Sequence, residues 1–187
     1  MACPPSSARG LATPPEFDTQ RLTLRRLELS DAPFVVELLN QPSFIKNIGD
    51  RGVRSIDDAH GYLRGGPMAM YERFGLGLLH VSRKSDGAAV GMCGLLKRDI
   101  LPDVDLGYAF LPAYWGGGLA FEAAQATLRH GARKLGLKRV IGVVSQGNDA
   151  SIRVLEKLGM RFERLYPMVA GEPEVRLYGI DLPPICE

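Results

Sequence analysis

The sequence predicts a single α/β domain in which a mixed, mostly antiparallel central sheet is flanked by helices. Segments that alternate between apolar and polar residues, typical of strands, are separated by longer segments with helical periodicity. In chain order these segments read β-α-α-β-β-β-α-β-α-β-β, without an internal repeat or a second group of elements. The 187 residues, of which 45% are hydrophobic, are enough to bury one core.

The N-terminal segment is expected to lie outside this domain. Residues 1–15 are rich in Pro, Ser and Ala, and they lack the basic start and apolar stretch of a secretory signal. We predict a disordered lead-in over 1–15 and the domain over 16–187. The first strand is predicted over 21–25, with Leu22 and Leu24 on its buried face.

Two helices are predicted after the first strand. Ser30 is expected to be the N-cap of the first helix. Ser55 is expected to open the second helix, because Asp58 stands three residues later as in a capping box. The segment Gly65-Gly66-Pro67 is expected to interrupt this second helix, and residues 68–74 are expected to resume it.

The middle of the chain predicts three strands and a long helix. Residues 76–83 and 88–97 flank a Ser-Asp-Gly turn, which predicts an antiparallel hairpin. Residues 103–111 predict the next strand. Apolar residues at helical spacing predict the longest helix over 119–135.

The C-terminal third predicts three strands and one helix. Residues 139–145 are apolar on both faces, as expected of a central strand covered by helices. A helix is predicted to begin at Asn148 and to end at Gly159. Two strands near 161–166 and 175–182 complete the predicted sheet.

Composition disfavours several kinds of partner. The formal net charge is +2 at pH 7 without a block of Lys or Arg, and no apolar run approaches the ~18 residues of a membrane span. We therefore expect neither nucleic acid nor a membrane as partner. Cys3, Cys93 and Cys186 lack metal-ligand spacing, so we expect no metal and a reducing cytoplasm. His80 is expected to be packed or at a strand edge, with a position facing a pocket as the alternative.

The segment from Phe110 to Ala120 predicts an anion site. It runs from a strand end through Gly116-Gly117-Gly118 into a helix N-terminus, where unpaired N–H groups and the helix dipole favour a phosphate. A Gly-Lys-Ser/Thr sequence is missing, and Phe121 stands where a dinucleotide fingerprint needs glycine or alanine. The alternative is that the glycines only make a tight turn.

Three motifs in order resemble the GNAT acetyltransferases, and in particular the RimJ/RimL-like branch. The turn Tyr-Trp-Gly-Gly-Gly-Leu-Ala-Phe-Glu-Ala over 114–123 is similar to the turn of this branch. Residues 19–25 and 105–108 resemble its opening strand and the strand before the turn. The segment Asn148-Asp149-Ala150-Ser151 resembles the start of the second cofactor-binding helix. The resemblance extends to about residue 181.

This resemblance implies acetyl-CoA as co-substrate. It implies that the strand ending at Leu111 splays from the strand near Val140, and that pantetheine lies in the gap. Asn148 and Ser151 would contact the pantetheine arm, although Asn148 also suits a helix N-cap, and the two roles are compatible. The implied cofactor-binding residues are Phe110, Leu111, Trp115, Gly116, Gly117, Gly118, Leu119, Ala120, Asn148 and Ser151.

The resemblance also implies catalytic groups. Many GNAT enzymes carry a tyrosine acid seven residues after the asparagine, where this chain has Leu155. Ser151 or a water is the substitute candidate. Asp105 is the candidate base, and the alternative is a solvated strand-edge charge. Glu122 stands in the motif, yet a carboxylate in a first helical turn is often there for the dipole.

The resulting hypothesis is an acetyl-CoA-dependent N-acetyltransferase that acts by direct attack in a ternary complex. The acceptor would be a primary amine, either a protein N-terminus or a small molecule, and the protein would be a monomer or homodimer. A catalytically weak acyl-CoA-binding sensor or interaction module is the alternative. Five acidic residues would attract a cationic amine or form a solvated surface: Asp50, Asp57, Asp58, Glu172 and Glu174.

Overall fold

The computed structural model describes residues 17–183, and its eight strands form one sheet in the order β1-β2-β3-β4-β5-β6-β8-β7. The strands are β1 (Phe17–Asp18), β2 (Leu22–Arg26), β3 (Leu78–Arg83), β4 (Ala89–Leu96), β5 (Asp105–Phe110), β6 (Arg139–Val144), β7 (Arg161–Tyr166) and β8 (Val175–Asp181). The helices are α1 (Ala32–Leu39), α2 (Pro42–Asn47), α3 (Ile56–Leu63), α4 (Ala69–Phe74), α5 (Leu119–Leu135) and α6 (Asp149–Lys157). The predicted fold class, a mixed and mostly antiparallel sheet with flanking helices, is confirmed. The predicted lead-in over 1–15 lies outside the described residues.

Helix α5 has the bounds that the sequence predicts. Gly118 before it and Gly136 after it both have positive φ, at 75° and 64°, which a residue with a Cβ rarely adopts. The capping box at the start of α3 is also confirmed, because Ser55 and Asp58 exchange side-chain to backbone hydrogen bonds. Strand β1 and helix α2 were not predicted, and each is short.

The prediction of Ser30 as a helix N-cap is wrong. A 3-10 turn (Leu29–Asp31) precedes α1, and Asp31 is the residue before the α-helix. The Asp31 carboxylate accepts the Glu28 N–H at 2.8 Å and pairs with the Arg25 guanidinium at 2.6 Å. These contacts favour Asp31 over the Ser30 hydroxyl, which lies 3.5 Å from the Glu28 carboxylate at the surface.

The predicted interruption at Gly65-Gly66-Pro67 is present as a change of helix type rather than as a break in the chain of helices. A π-helical turn (Arg64–Met68) joins α3 directly to α4. Pro67 has no N–H and its ring would clash with the carbonyl four residues earlier in an α-helix, whereas the wider π turn relieves that clash. The two glycines before Pro67 have open space around them and leave the turn unobstructed.

Two layers of helices cover the two faces of the sheet. Helices α5 and α6 pack on one face, which we call the α5 face, and they bury Ala123, Leu128 and Leu155 there. Helices α1 to α3 pack on the opposite face of the central strands, which we call the α1 face. A smaller cluster around Ile141 and Leu177 lies on the side of β6 and β8 that points away from α6.

Candidate active site

Strands β5 and β6 touch at one point and then separate. They run parallel, and Asp105 and Ile141 form the single pair between them in the described residues. The Ile141 N–H donates to the Val104 carbonyl at 3.0 Å. Farther along β5 the pairing continues on the β4 side only, through Phe110. The gap that the family resemblance implies is therefore present.

The edge of β5 that lines this gap offers unpaired backbone groups. The Leu111 N–H donates to the Val90 carbonyl on the β4 side at 2.9 Å. Because backbone groups along a strand point alternately to its two neighbours, the N–H and C=O of Tyr108 and Phe110 point toward the gap. The Trp115 indole N–H donates to the Phe110 carbonyl at 2.8 Å and occupies that acceptor.

The glycine turn ends β5 and opens the 17-residue helix α5. Gly116 and Gly118 have φ of 81° and 75°, so the path of the turn depends on them. Gly117 does not have a positive φ, and a Cβ built on it would meet no atom within 4 Å. All three glycines are exposed, and no side chain caps the helix N-terminus. The first N–H groups of α5 are therefore free to meet an anion.

A guanidinium group lies beside this turn. Arg21 Nη1 donates to the Gly117 carbonyl at 2.8 Å, and its Nε donates to the Glu122 carboxylate at 2.6 Å. Glu122 also accepts hydrogen bonds from the Arg21 N–H and the Thr19 hydroxyl. Burial tends to raise the pKa of Glu122, but these hydrogen bonds outweigh it and hold the pKa below its usual value. Glu122 thus links the segment between β1 and β2 to the glycine turn, in addition to its favourable position in the dipole of α5.

Of the other residues that the resemblance implies for cofactor binding, some have buried side chains and some have exposed ones. Phe110 and Leu119 are buried on the α5 face, and Leu111 is buried on the α1 face. These three would meet a ligand through backbone groups alone. The Trp115 side chain is 53% exposed, and Ala120 is half-buried in the first turn of α5.

Asn148 caps helix α6, as one reading of the sequence predicts. Its Oδ1 accepts the Ser151 N–H at 3.2 Å. Among the described residues its Nδ2 donates to no partner, so this half of the amide is available to a ligand. Asn148 is half-buried and follows β6 by a short loop, which places it on the far side of the gap from β5.

Tyr108 reaches from β5 to helix α6, and sequence reasoning missed this contact. Its Oη lies 2.6 Å from Ser151 Oγ and 3.1 Å from the Ser151 carbonyl. Burial raises the pKa of Tyr108, so the phenol is protonated near neutral pH. Leu155, at the usual tyrosine position, is 2% exposed and packs near Gly142 of β6. A hydroxyl pair from two elements therefore lies one turn before the position of the missing tyrosine.

Asp105 is buried at the point where the gap begins. It is 1% exposed, so the alternative of a solvated strand-edge charge is wrong. It pairs directly with Ile141 and therefore points to the α1 face. Arg98 Nη2 lies 3.3 Å from its Oδ2, but neither carboxylate oxygen accepts a well-aligned hydrogen bond from the described residues. Burial raises the pKa of Asp105 to about 6, against the lowering effect of the Arg98 charge.

Other candidate groups lie outside this site. His80 is buried beneath α1, 5.0 Å from the Phe34 ring, and burial lowers its pKa. Cys93 is buried in the core, and Cys3 and Cys186 lie outside the described residues. Residues 17–183 contain no group of three His, Cys, Asp or Glu side chains that would hold a metal ion. No helix in this part of the chain is long and apolar enough to cross a membrane.

Comparison with known proteins identifies the family of this chain. The model of the acetyltransferase (GNAT) domain matches residues 21–161. The uncharacterized N-acetyltransferase YnaD of Bacillus subtilis is 30% identical over 148 residues, which cover 79% of this chain and 84% of that protein. The uncharacterized protein YkkB of the same organism is 34% identical over 93 residues, and the match spans 54% of its length.

Solved structures are similar over most of the chain. The crystal structure of an acetyltransferase from Agrobacterium tumefaciens has a TM-score of 0.78 at 26% identity and covers 95% of this chain and 100% of that one. RimL, the ribosomal L7/L12 α-N-protein acetyltransferase, was solved in complex with coenzyme A. It has a TM-score of 0.77 at 17% identity, covers 88% of this chain and 96% of its own, and at that identity supports the fold alone.

Proposed function

Because this chain belongs to the GNAT family of acetyltransferases, we propose that it moves an acetyl group from acetyl-CoA to a primary amine, as an enzyme of the RimJ/RimL-like type. The observation that carries this proposal is the position of one buried carboxylate. Asp105 lies at the head of the gap between β5 and β6, and the uncapped glycine turn lies at the other end of β5. A base and an anion site thus occupy the two ends of one strand.

The glycine turn fits the pyrophosphate of coenzyme A. The exposed N–H groups at the start of α5 supply donors, and Gly117 leaves space where a Cβ would stand. Arg21 lies at the same turn, where its half-exposed guanidinium donates to the Gly117 carbonyl while it is paired with Glu122. The backbone of this turn, together with Arg21, would hold the diphosphate without a metal ion.

The gap fits the pantetheine arm. The backbone N–H groups of Tyr108 and Phe110 point into it from β5, and Asn148, whose Nδ2 has no partner among the described residues, lies on the other side at the start of α6. Amide groups of this kind pair with the amides of pantetheine. Acetyl-CoA supplies an activated thioester carbonyl, and the β5 N–H groups would polarise its oxygen.

Asp105 is suited to be the base. Its pKa of about 6 lies close enough to neutrality for it to be ionised at pH 7 and still accept a proton. Directly or through a water, it takes one proton from the acceptor ammonium and frees the nitrogen lone pair. The nitrogen then bonds to the acetyl carbon as the bond from that carbon to sulfur breaks, and it loses its second proton to water to give the neutral amide.

The Tyr108–Ser151 pair is suited to supply the proton that the departing sulfur needs. The two hydroxyl groups are hydrogen-bonded at 2.6 Å, so a proton that leaves Ser151 is replaced from Tyr108. Solvent restores the pair and removes the proton held by Asp105. The net result is that the ammonium loses two protons, of which one is balanced by the proton gained by the thiol and one goes to solvent, with a new C–N bond in place of the C–S bond.

Release of coenzyme A thiol from acetyl-CoA tests this proposal. The protein is incubated with peptides, amino acids and polyamines, while calorimetry follows acetyl-CoA binding in parallel. Amine-dependent thiol release supports the transferase. Tight binding of acetyl-CoA without release by any amine contradicts it and favours the acyl-CoA sensor. Absence of binding contradicts both the transferase and the sensor.

A further inference from the structure

Two arginines, Arg98 and Arg51, lie around the end of the gap on the α1 face. Arg98 belongs to the connection between β4 and β5, lies 3.3 Å from the Asp105 carboxylate and keeps 31% of its side chain exposed. Burial raises the pKa of Tyr62 on α3, and the charges of Arg51 and Arg98 both act against that rise. Both guanidinium groups therefore lie close enough to act on the Tyr62 hydroxyl.

The loop that carries Arg51 is fixed beside the gap. Arg51 lies between α2 and α3, and the last residue of α2, Asn47, accepts a hydrogen bond from the Ser145 hydroxyl at 2.7 Å. Ser145 directly follows β6, which forms one wall of the gap. The loop between α2 and α3 therefore lies over the end of the gap on the α1 face.

Asp50 in this loop and Asp58 in the first turn of α3 are used within the segment. Asp50 pairs with Arg54 at 2.5 Å and accepts the Gly52 N–H. Asp58 accepts the N–H groups of Arg54 and Ser55 in the capping box. Their negative charges are thereby committed to local partners, and a cationic acceptor gains little from them.

Arg51 keeps its charge unpaired. Within residues 17–183 its exposed guanidinium forms no ion pair and no side-chain hydrogen bond. Arg98 therefore lies beside the buried carboxylate of Asp105, and the unpaired Arg51 belongs to the loop over the same end of the gap. A polyamine or aminoglycoside would place additional positive charges beside these arginines, which is unfavourable. A carboxylate on the acceptor would instead accept hydrogen bonds from the planar guanidinium groups.

We propose that the acceptor of this enzyme is an amine with a carboxylate a few bonds away, whose ammonium group faces Asp105 while Arg98 and Arg51 hold the carboxylate. This inference rests on the proposed acetyltransferase function. A free α-amino acid and a peptide N-terminus followed by an acidic residue share this chemistry. The Asp105–Arg98 pair offers one negative and one positive group, which complement such a zwitterion.

Matched acceptors test the inference. Alanine is compared with alaninamide, and the amidated tripeptide Ser-Asp-Ala is compared with Ser-Asn-Ala, with spermidine as the polycation. We expect kcat/KM to favour the acid of at least one pair by about tenfold, the value of one charge-assisted hydrogen bond. The pair that shows the preference distinguishes the free amino acid from the acidic N-terminus. Equal rates within both pairs, or a preference for spermidine, would overturn the inference while leaving the transferase intact.

Variants assign the preference to the two arginines. Arg51→Gln and Arg98→Gln should each reduce the preference about tenfold through KM, and Arg51→Lys should restore part of it. Arg54→Gln is the matched control, because Arg54 lies in the same loop but is paired with Asp50. If no amine releases thiol, the proposed function fails, and calorimetry of the acids and amides with the CoA-loaded protein then decides the inference. Equal binding of acid and amide, or no binding of either, would overturn it.

Discussion

Asp105 and Ile141 face each other across the one point where β5 and β6 are paired in the described sheet. This pair brings a carboxylate to the head of the gap. Because Ile141 packs against Leu177 on the face away from α6, the Asp105 side chain points toward the α1 face, where an acceptor would approach. The same pair marks the start of the gap, so the base and the opening of the sheet have one structural origin.

The first prediction concerns the pH dependence of the reaction. Asp105 must be ionised to accept a proton, so kcat/KM should rise with pH up to an apparent pKa near 6 and then level off. Asp105→Asn should remove this step and lower kcat by about 10²-fold or more, with little change in acetyl-CoA affinity. Asp103→Asn is the control, because Asp103 is half-buried and pairs with Arg139 instead. An unchanged pH profile in Asp105→Asn would remove Asp105 from the mechanism.

The second prediction is that Asp105 destabilises the fold. Its pKa is raised in the folded state, so the folded protein binds the proton more tightly between about pH 4 and 6. The free energy of unfolding should fall as pH rises through this window and stay low above it. Asp105→Asn should therefore increase the free energy of unfolding at pH 7.5 by up to about 3 kcal/mol, which a thermal melt would show as a higher melting temperature. A purely structural ion pair with Arg98 would give the opposite sign in the same melt.

The third prediction uses the middle glycine of the turn. Gly117 has no positive φ and open space around it, so Gly117→Asp should fold normally. Its carboxylate would stand at the anion site, and we expect calorimetry to show no acetyl-CoA binding. Gly61→Asp is the matched control, since Gly61 is also exposed, has open space and lacks a positive φ. Unchanged acetyl-CoA affinity in Gly117→Asp would place the diphosphate elsewhere.

Features of the fold that depend on residues close together in the chain could be predicted from the sequence. The spacing of apolar residues predicted the bounds of α5, and the Ser55 capping box predicted the start of α3, since both depend on residues close in the chain. The N-cap at Ser30 failed because Arg25 on β2 holds the carboxylate of Asp31. A contact of this kind depends on the sheet and cannot be deduced from helix propensity.

In the candidate site too, features set by residues close in the chain could be predicted, and features set by distant contacts could not. The anion turn follows from three consecutive glycines before a helix, and a sequence shows these directly. The burial of Asp105 depends on the helices of the α1 face and on its pairing with Ile141, which come from distant parts of the chain. The contact of Tyr108 with Ser151 joins residues 43 positions apart. Strand alternation and helix position gave no signal for it.

The fourth prediction concerns Arg21. Arg21→Gln should weaken acetyl-CoA binding about tenfold, because the turn loses a positive charge and the donor to the Gly117 carbonyl. The dependence of the affinity on salt should also decrease, since one exposed charge no longer contributes. Arg129→Gln is the control: Arg129 lies on α5 but is hydrogen-bonded to Gln125, and its replacement should leave both quantities unchanged. Equal effects of the two variants would show that Arg21 has no specific role at the turn.

The fifth prediction concerns the hydroxyl pair that takes the place of the missing tyrosine. Tyr108→Phe and Ser151→Ala should each lower kcat by about 10²-fold, because each breaks the path that delivers a proton to sulfur. The double variant should be little worse than either single variant, since the two hydroxyl groups act as a unit. Tyr178→Phe is the control, because among residues 17–183 that hydroxyl approaches only the Glu156 carboxylate, at 3.5 Å. Additive losses in the double variant would mean that Tyr108 and Ser151 act separately, and unchanged kcat in both single variants would leave solvent as the proton donor.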